Sequence, residues 1–117
     1  MPTVDQALYK LSRSKFRSSF HLSDTDKEYV RKNGIDKIRE HATDIIKKRI
    51  APDIIENDGR QTPTKGHPVF IAQHACAMCC RGCMYKWYRV KKGVALTDTQ
   101  ISKCVNLIMA WIENELK

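Results

Sequence analysis

The stretch Pro68-Val69-Phe70-Ile71-Ala72-Gln73-His74-Ala75-Cys76-Ala77-Met78-Cys79-Cys80-Arg81-Gly82-Cys83-Met84-Tyr85-Lys86-Trp87-Tyr88 decides the fold. Proline at its head suits the first turn of a helix. From Val69 to Val90 only Gly82 interrupts helical sequence. The segment is apolar on several sides, so it is expected to be one continuous, buried, central helix.

Upstream of it, Asp53 to His67 is polar and turn-rich, with Asn57-Asp58-Gly59, Thr62-Pro63 and Lys65-Gly66. So long a connection is uncommon in a small domain, and those that persist tend to be functional. Before that loop, Ile35, Ile38, Ala42, Ile45, Ile46 and Ile50 repeat at helical spacing, and Pro52 closes the helix. Ser23-Asp24-Thr25-Asp26 supplies capping oxygens and first-turn carboxylates for a short helix to about Asn33, ended by Gly34. Downstream, Thr97-Asp98-Thr99-Gln100 is a capping box opening a final helix with Ile101, Cys104, Val105, Ile108, Met109, Ile112 and Leu116 on one face. No strand-like alternation appears. The expectation is an all-α bundle of about four helices over 21–117, preceded by a basic, loosely ordered arm over 1–20.

The chain has 117 residues, 42% of them apolar and 29% charged, which is enough to build one core and too little for two. No apolar run approaches the ~18 residues a membrane span needs. The N-terminal residues lack the basic and apolar regions of a secretory signal, so a cytoplasmic location is expected. Four of the five cysteines fall within the eight residues Cys76 to Cys83. Disulfide frameworks spread their cysteines in even numbers, so this odd cluster points to metal ligation, redox chemistry or reactive thiols.

On a continuous helix at 100° per residue from Pro68, Cys79, Cys83, Cys76 and Cys80 lie at about 20°, 60°, 80° and 120°, and His74 at about 240°. Such a helix offers one ion two sulfurs, from Cys79 with Cys83 or from Cys80 with Cys83, and cannot wrap four around it. Other ligands must come from His67, His41, His21, Cys104 or Asp58, unless the helix breaks between His74 and Cys79 and lets His74 swing toward the sulfurs. Zinc suits thiolate and imidazole donors. His67, at the end of the long loop, is the foremost imidazole candidate and His74 the second. The expected set is therefore His67, His74, Cys79, Cys80 and Cys83 around a structural zinc ion. Buried cysteines also serve as small hydrophobes, which is the bland alternative. A redox dithiol is disfavoured because both C-x-x-C pairs lie inside the expected helix, away from its N-terminus. Cysteines on one helix are badly aimed for an iron–sulfur cluster.

Gly66-His67-Pro68-Val69-Phe70-Ile71-Ala72-Gln73-His74-Ala75, Cys79-Cys80-Arg81-Gly82-Cys83 and Lys86-Trp87 resemble a bacterial family catalogued as domain of unknown function 4186. Phe20-His21-Leu22, Asp58-Gly59-Arg60-Gln61-Thr62-Pro63 and Ile108-Met109-Ala110-Trp111-Ile112 extend the resemblance over most of residues 16 to 116. It implies no activity. In that family's pattern a small polar residue usually stands at position 76 and histidine often at 88. The resemblance thus implies that Cys76 is a poor ligand and that Tyr88 is dispensable to a shared site.

The net charge is +8, and no acid interrupts Gln73 to Ala95. There Arg81, Lys86, Arg89, Lys91 and Lys92 alternate with Tyr85, Trp87 and Tyr88. Cations neutralise phosphates while rings stack on bases, so Arg81, Lys86, Trp87, Arg89, Lys91 and Lys92 form a candidate nucleic-acid surface, with Arg13 to Arg17 adding to it. The bland alternative has the same cations satisfying a helix C-terminus and the rings filling the core. A third expectation is an enzyme using His67, Gln73, His74 and a cysteine thiolate.

Overall fold

Thr3, Ser23 and Thr97 each end an extended stretch with a hydroxyl that accepts from the backbone N–H three residues on, and Gln6, Asp26 and Gln100 return a hydrogen bond to the cap. Each such cap is worth about 1 kcal/mol, and a helix starts at all three. A computed structural model describes residues 1–117. The helices are α1 (Val4–Ser12), α2 (Asp24–Asn33), α3 (Ile35–Arg49), α4 (Pro68–Ala75), α5 (Arg81–Tyr88) and α6 (Asp98–Leu116), with a 3₁₀ turn at Arg17–Ser19. There is no strand. The all-α class holds, with six helices where four were expected. No helix is long and apolar enough to cross a membrane.

The core lies where α6 crosses α3, with α4 and α1 packed against α6. Ile38, Ala42 and Ile46 of α3 and Ile108, Met109 and Ile112 of α6 are essentially fully buried. Each of the isoleucines stabilises the fold by roughly 1.5–3 kcal/mol relative to exposure. Residues 1–20, expected as a loose arm, form α1 and the 3₁₀ turn and bury Ala7, Leu11 and Arg17. Val4, Ala7, Leu8 and Leu11 carry helical spacing, and α6 supplies the surface they pack on.

The continuous central helix over 68–90 is not formed. Helix α4 ends at Ala75 in a complete Schellman turn, in which Met78 N–H donates to Gln73 O (2.8 Å) and Ala77 N–H to His74 O (3.4 Å). Ala77 sits in the left-handed region at φ 58°, a position usually held by glycine, at a cost of roughly 1–2 kcal/mol. Helix α5 then starts with Cys80 as its N-cap, the sulfur accepting from Cys83 N–H at 3.3 Å. Asp58, in the long loop, accepts from the N–H groups of Arg81 (2.9 Å) and Gly82 (3.2 Å). A distant carboxylate thus satisfies orphan donors of α5 and faces the positive end of its dipole.

Arg81 is 3% exposed. Its guanidinium donates to the carbonyls of Ile50, Ala51 and Pro52 just past α3, and to Lys91 (2.7 Å) and Val94 (2.6 Å) between α5 and α6. One side chain therefore ties the C-terminus of α3 to the α5–α6 connection. Replacing it leaves buried acceptors unpaired at about 1–3 kcal/mol each. Arg81→Leu is expected to lower the unfolding free energy by about 3 kcal/mol or more in urea titrations. A loss below about 1 kcal/mol would show that these carbonyls find other donors.

Candidate metal centre

The break at residues 76–80 redirects the sulfurs. Cys79 and Cys80 lie on the turn and Cys83 in the first turn of α5, and their three Sγ atoms lie within 4.8 Å of one another. Cys79 and Cys80 are buried, and Cys83 is partly open. Cys79 Sγ and Cys83 Sγ are 3.6 Å apart. The remaining thiols, Cys76 and Cys104, are fully buried in the hydrocarbon core. Burial pushes Cys76 far above the ordinary thiol range and Cys104 up to about 12. Those two serve as apolar filling.

The long loop holds the cysteine turn in place. Thr62 Oγ1 donates to Cys79 O at 2.7 Å, and Gln73 Nε2 to Met78 O at 3.1 Å. Gln61 Nε2 steadies Asp58 Oδ1 at 2.9 Å. Although burial opposes the Asp58 charge, the hydrogen bonds from Gln61, Arg81 and Gly82 outweigh it and hold the carboxyl below its usual range.

Arg17 is the residue that sequence reasoning missed. The residue is 7% exposed, and its guanidinium packs over the Phe16 ring at 5.0 Å and the Trp87 ring at 6.0 Å. Arg17 Nη2 donates to Cys83 Sγ at 3.2 Å, while Nη1 donates to Cys79 Sγ at 3.7 Å and to His74 O at 2.7 Å. The only ion pairs in the chain are His21–Glu115 and Lys37–Glu40, so Arg17 has no carboxylate partner. Burial disfavours its charge, yet the two sulfurs more than offset that and raise the guanidinium above its ordinary pKa. A buried cation is retained only where something nearby carries compensating charge. Here the groups facing the guanidinium are Cys79 Sγ, Cys83 Sγ and the His74 carbonyl. Cys80 differs: burial pushes its thiol up to about 12, with the neighbouring sulfurs of Cys83 and Cys79 adding to the rise against the Cys83 N–H.

Neither expected imidazole belongs to the group of three sulfurs. His67 is the N-cap of α4, its Nδ1 accepting from Val69 N–H at 3.0 Å. In the neutral ring the proton is therefore on Nε2, which donates to His41 Nδ1 at 3.0 Å. His74 Nε2 lies 3.2 Å from both Thr62 O and Pro63 O, which can only accept, so it carries a proton too. The His74 ring stacks on Phe20. His74 reaches the sulfurs through its carbonyl and Arg17. His21 pairs with Glu115, and Asp58 is engaged as the α5 cap.

Of the candidate nucleic-acid residues, Lys86, Arg89, Lys91 and Lys92 are exposed, and Trp87 is half-buried against the core. Arg81 is withdrawn onto main-chain carbonyls and does not reach the surface, a correction to the phosphate-binding expectation.

A model of the family described as Domain of unknown function (DUF4186) matches residues 5–113. No solved structure matches the chain.

The His67 arrangement carries a pH dependence. Desolvation first, and the adjacent His41 second, lower its pKa to about 4, with Asp26 opposing them. The folded state thus holds fewer protons than the unfolded chain between about pH 6.5 and 4, so its stability falls as pH drops through that window. The urea midpoint is expected to decline across it, and His67→Asn, which keeps a capping oxygen, is expected to flatten the decline. An unchanged slope in the variant would remove His67 as the cause.

Proposed function

The chain belongs to the family described as domain of unknown function 4186, and from its own residues we propose that it binds a zinc-type ion through Cys79, Cys80 and Cys83. The observation that carries this reading is a compact trio of sulfurs beside a buried arginine that has no carboxylate. Three thiolates around a divalent ion leave one net negative charge, and Arg17 cancels it. Soft sulfur donors select zinc over magnesium or calcium, whose ligands are oxygens. The partly open Cys83 provides a route for the ion, and Thr62, Asp58 and Cys80's capping bond set the sulfurs in place beforehand.

The role proposed is structural. An ion held by residues 79, 80 and 83 would fix the left-handed turn and the start of α5. Ala77 and Met78 of that turn and Met84 of α5 are already buried in the hydrophobic core, so the ion would stiffen a turn that packing also holds.

Protein purified without added metal is expected to contain about one zinc per chain by elemental analysis. Cobalt substitution should give intense thiolate-to-metal absorption. Chelation should leave helical circular dichroism in place while lowering stability by about 2–3 kcal/mol at ion concentrations near 100 Kd. Cys80→Ser is expected to weaken binding at least tenfold and Cys104→Ser to leave it unchanged. Sub-stoichiometric metal together with no cobalt–sulfur absorption would end this reading.

A second reading, nucleic-acid binding, is favoured by exposed Tyr85 with the Arg89 guanidinium 5.6 Å over its ring and Lys86 adjoining in sequence. Four phosphate contacts from Lys86, Arg89, Lys91 and Lys92 would give a log–log salt slope of about −3 to −4, a loss of roughly a hundredfold between 50 and 200 mM salt. Retention on single-stranded nucleic acid that ignores salt, or survives loss of all four cations, would dismiss it.

A further inference from the structure

The cysteine turn supports a second chemistry that needs no ion. Cys83 is the one cysteine of five that is not buried. Its sulfur accepts from the Arg17 guanidinium and lies 3.6 Å from Cys79 Sγ. It also sits in the first turn of α5, at the positive end of the helix dipole and beside the Arg17 guanidinium. The objection to dithiol chemistry rested on a continuous helix, and that helix is absent. Cys79 precedes α5, so its backbone is not locked into the helical ladder and its sulfur can close on Cys83. Cys80 Sγ is held by Cys83 N–H as the helix cap. Cys76 and Cys104 are sealed in the core.

We propose that Cys83 and Cys79 form a peroxide-oxidisable pair, with Cys83 attacking and Cys79 resolving. In the first step the Cys83 thiolate sulfur attacks one oxygen of a hydroperoxide. An S–O bond forms, the O–O bond breaks, and the departing oxygen takes a proton from water to leave as an alcohol, or as water when the oxidant is hydrogen peroxide. Arg17 stabilises the sulfur anion and orients the attack; it keeps its own protons. Cys79 then attacks the Cys83 sulfenic sulfur. An S–S bond forms, the S–O bond breaks, and the hydroxyl leaves with the Cys79 thiol proton as water. Two thiols lose two electrons to one hydroperoxide. When an ion is present the disulfide removes two of its three sulfurs and expels it; that consequence alone rests on the metal-binding reading.

The test uses the full chain, stripped of metal by a chelator and treated with about one equivalent of hydrogen peroxide. Trypsin cuts after Lys65, Arg81 and Lys86, which places Cys79 on peptide 66–81 and Cys83 on peptide 82–86. The expected product is these two peptides joined by a disulfide that dithiothreitol reverses, with fragmentation locating the link at Cys79. Cys80→Ser should retain the link. Cys79→Ser should abolish it and leave a Cys83 sulfenic acid that a dimedone probe traps. Arg17→Gln should slow oxidation at least tenfold, and Arg17→Lys should recover part of the rate. A link to Cys76 or Cys80, no link, or oxidation no faster than that of the urea-unfolded chain would overturn the proposal. These outcomes are read on metal-free protein, so they stand or fall apart from zinc content. Zinc release on peroxide treatment of loaded protein tests only the coupling of the two.

Discussion

The left-handed turn at Ala77 is the constraint from which the site follows. Without it, residues 68 to 88 would continue as one rod, and their sulfurs would run as a stripe along its side. By ending α4 at Ala75 and restarting the helix at Arg81, the chain gathers Cys79, Cys80 and Cys83 at one helix start. The turn is unfavourable locally, because a Cβ at φ 58° crowds the backbone. It persists because Gln73 and Thr62 bond to its carbonyls and Asp58 occupies the donors that open α5. The long polar loop therefore acts as the clamp that makes an otherwise strained arrangement the stable one.

Arg17 couples that turn to the N-terminal segment. A guanidinium almost removed from water must be surrounded by acceptors, and those available are two sulfurs and a carbonyl. The contact runs both ways: the sulfurs hold the guanidinium in place, and the guanidinium ties the two sulfurs to the N-terminal segment. The proposed metal binding and the proposed peroxide oxidation would be different uses of the same arrangement.

The five cysteines and four histidines thus divide by position. Cys76 and Cys104 fill the core, Cys79 and Cys83 face the Arg17 guanidinium, and Cys80 caps α5. His67 caps α4 and bonds to His41, His74 fastens the long loop, and His21 meets Glu115 on α6. Residue type had suggested ligands at His67 and His74, while hydrogen-bond geometry shows that a histidine near a cysteine motif can be committed to the backbone instead.

What the sequence by itself determined was whatever local periodicity and caps encode. The isoleucine spacing of α3, Gly34, and the Thr97 and Gln100 box mark helices through contacts between residues a few positions apart, and the C-C-x-x-C cluster marks the site. The break at residues 76–80 was hidden because both of its devices are atypical: alanine stands where glycine is usual, and the cap of α5 comes from a sulfur and from Asp58, far back in the chain. Arg17 was hidden for a similar reason, since one arginine among several in a basic segment is singled out only by what it is packed against. Tertiary structure decided these features because the bonds that complete each of them, from Thr62 and Asp58 to the break and from Arg17 to Cys79 and Cys83, join segments distant in sequence and form only once the core has brought those segments together.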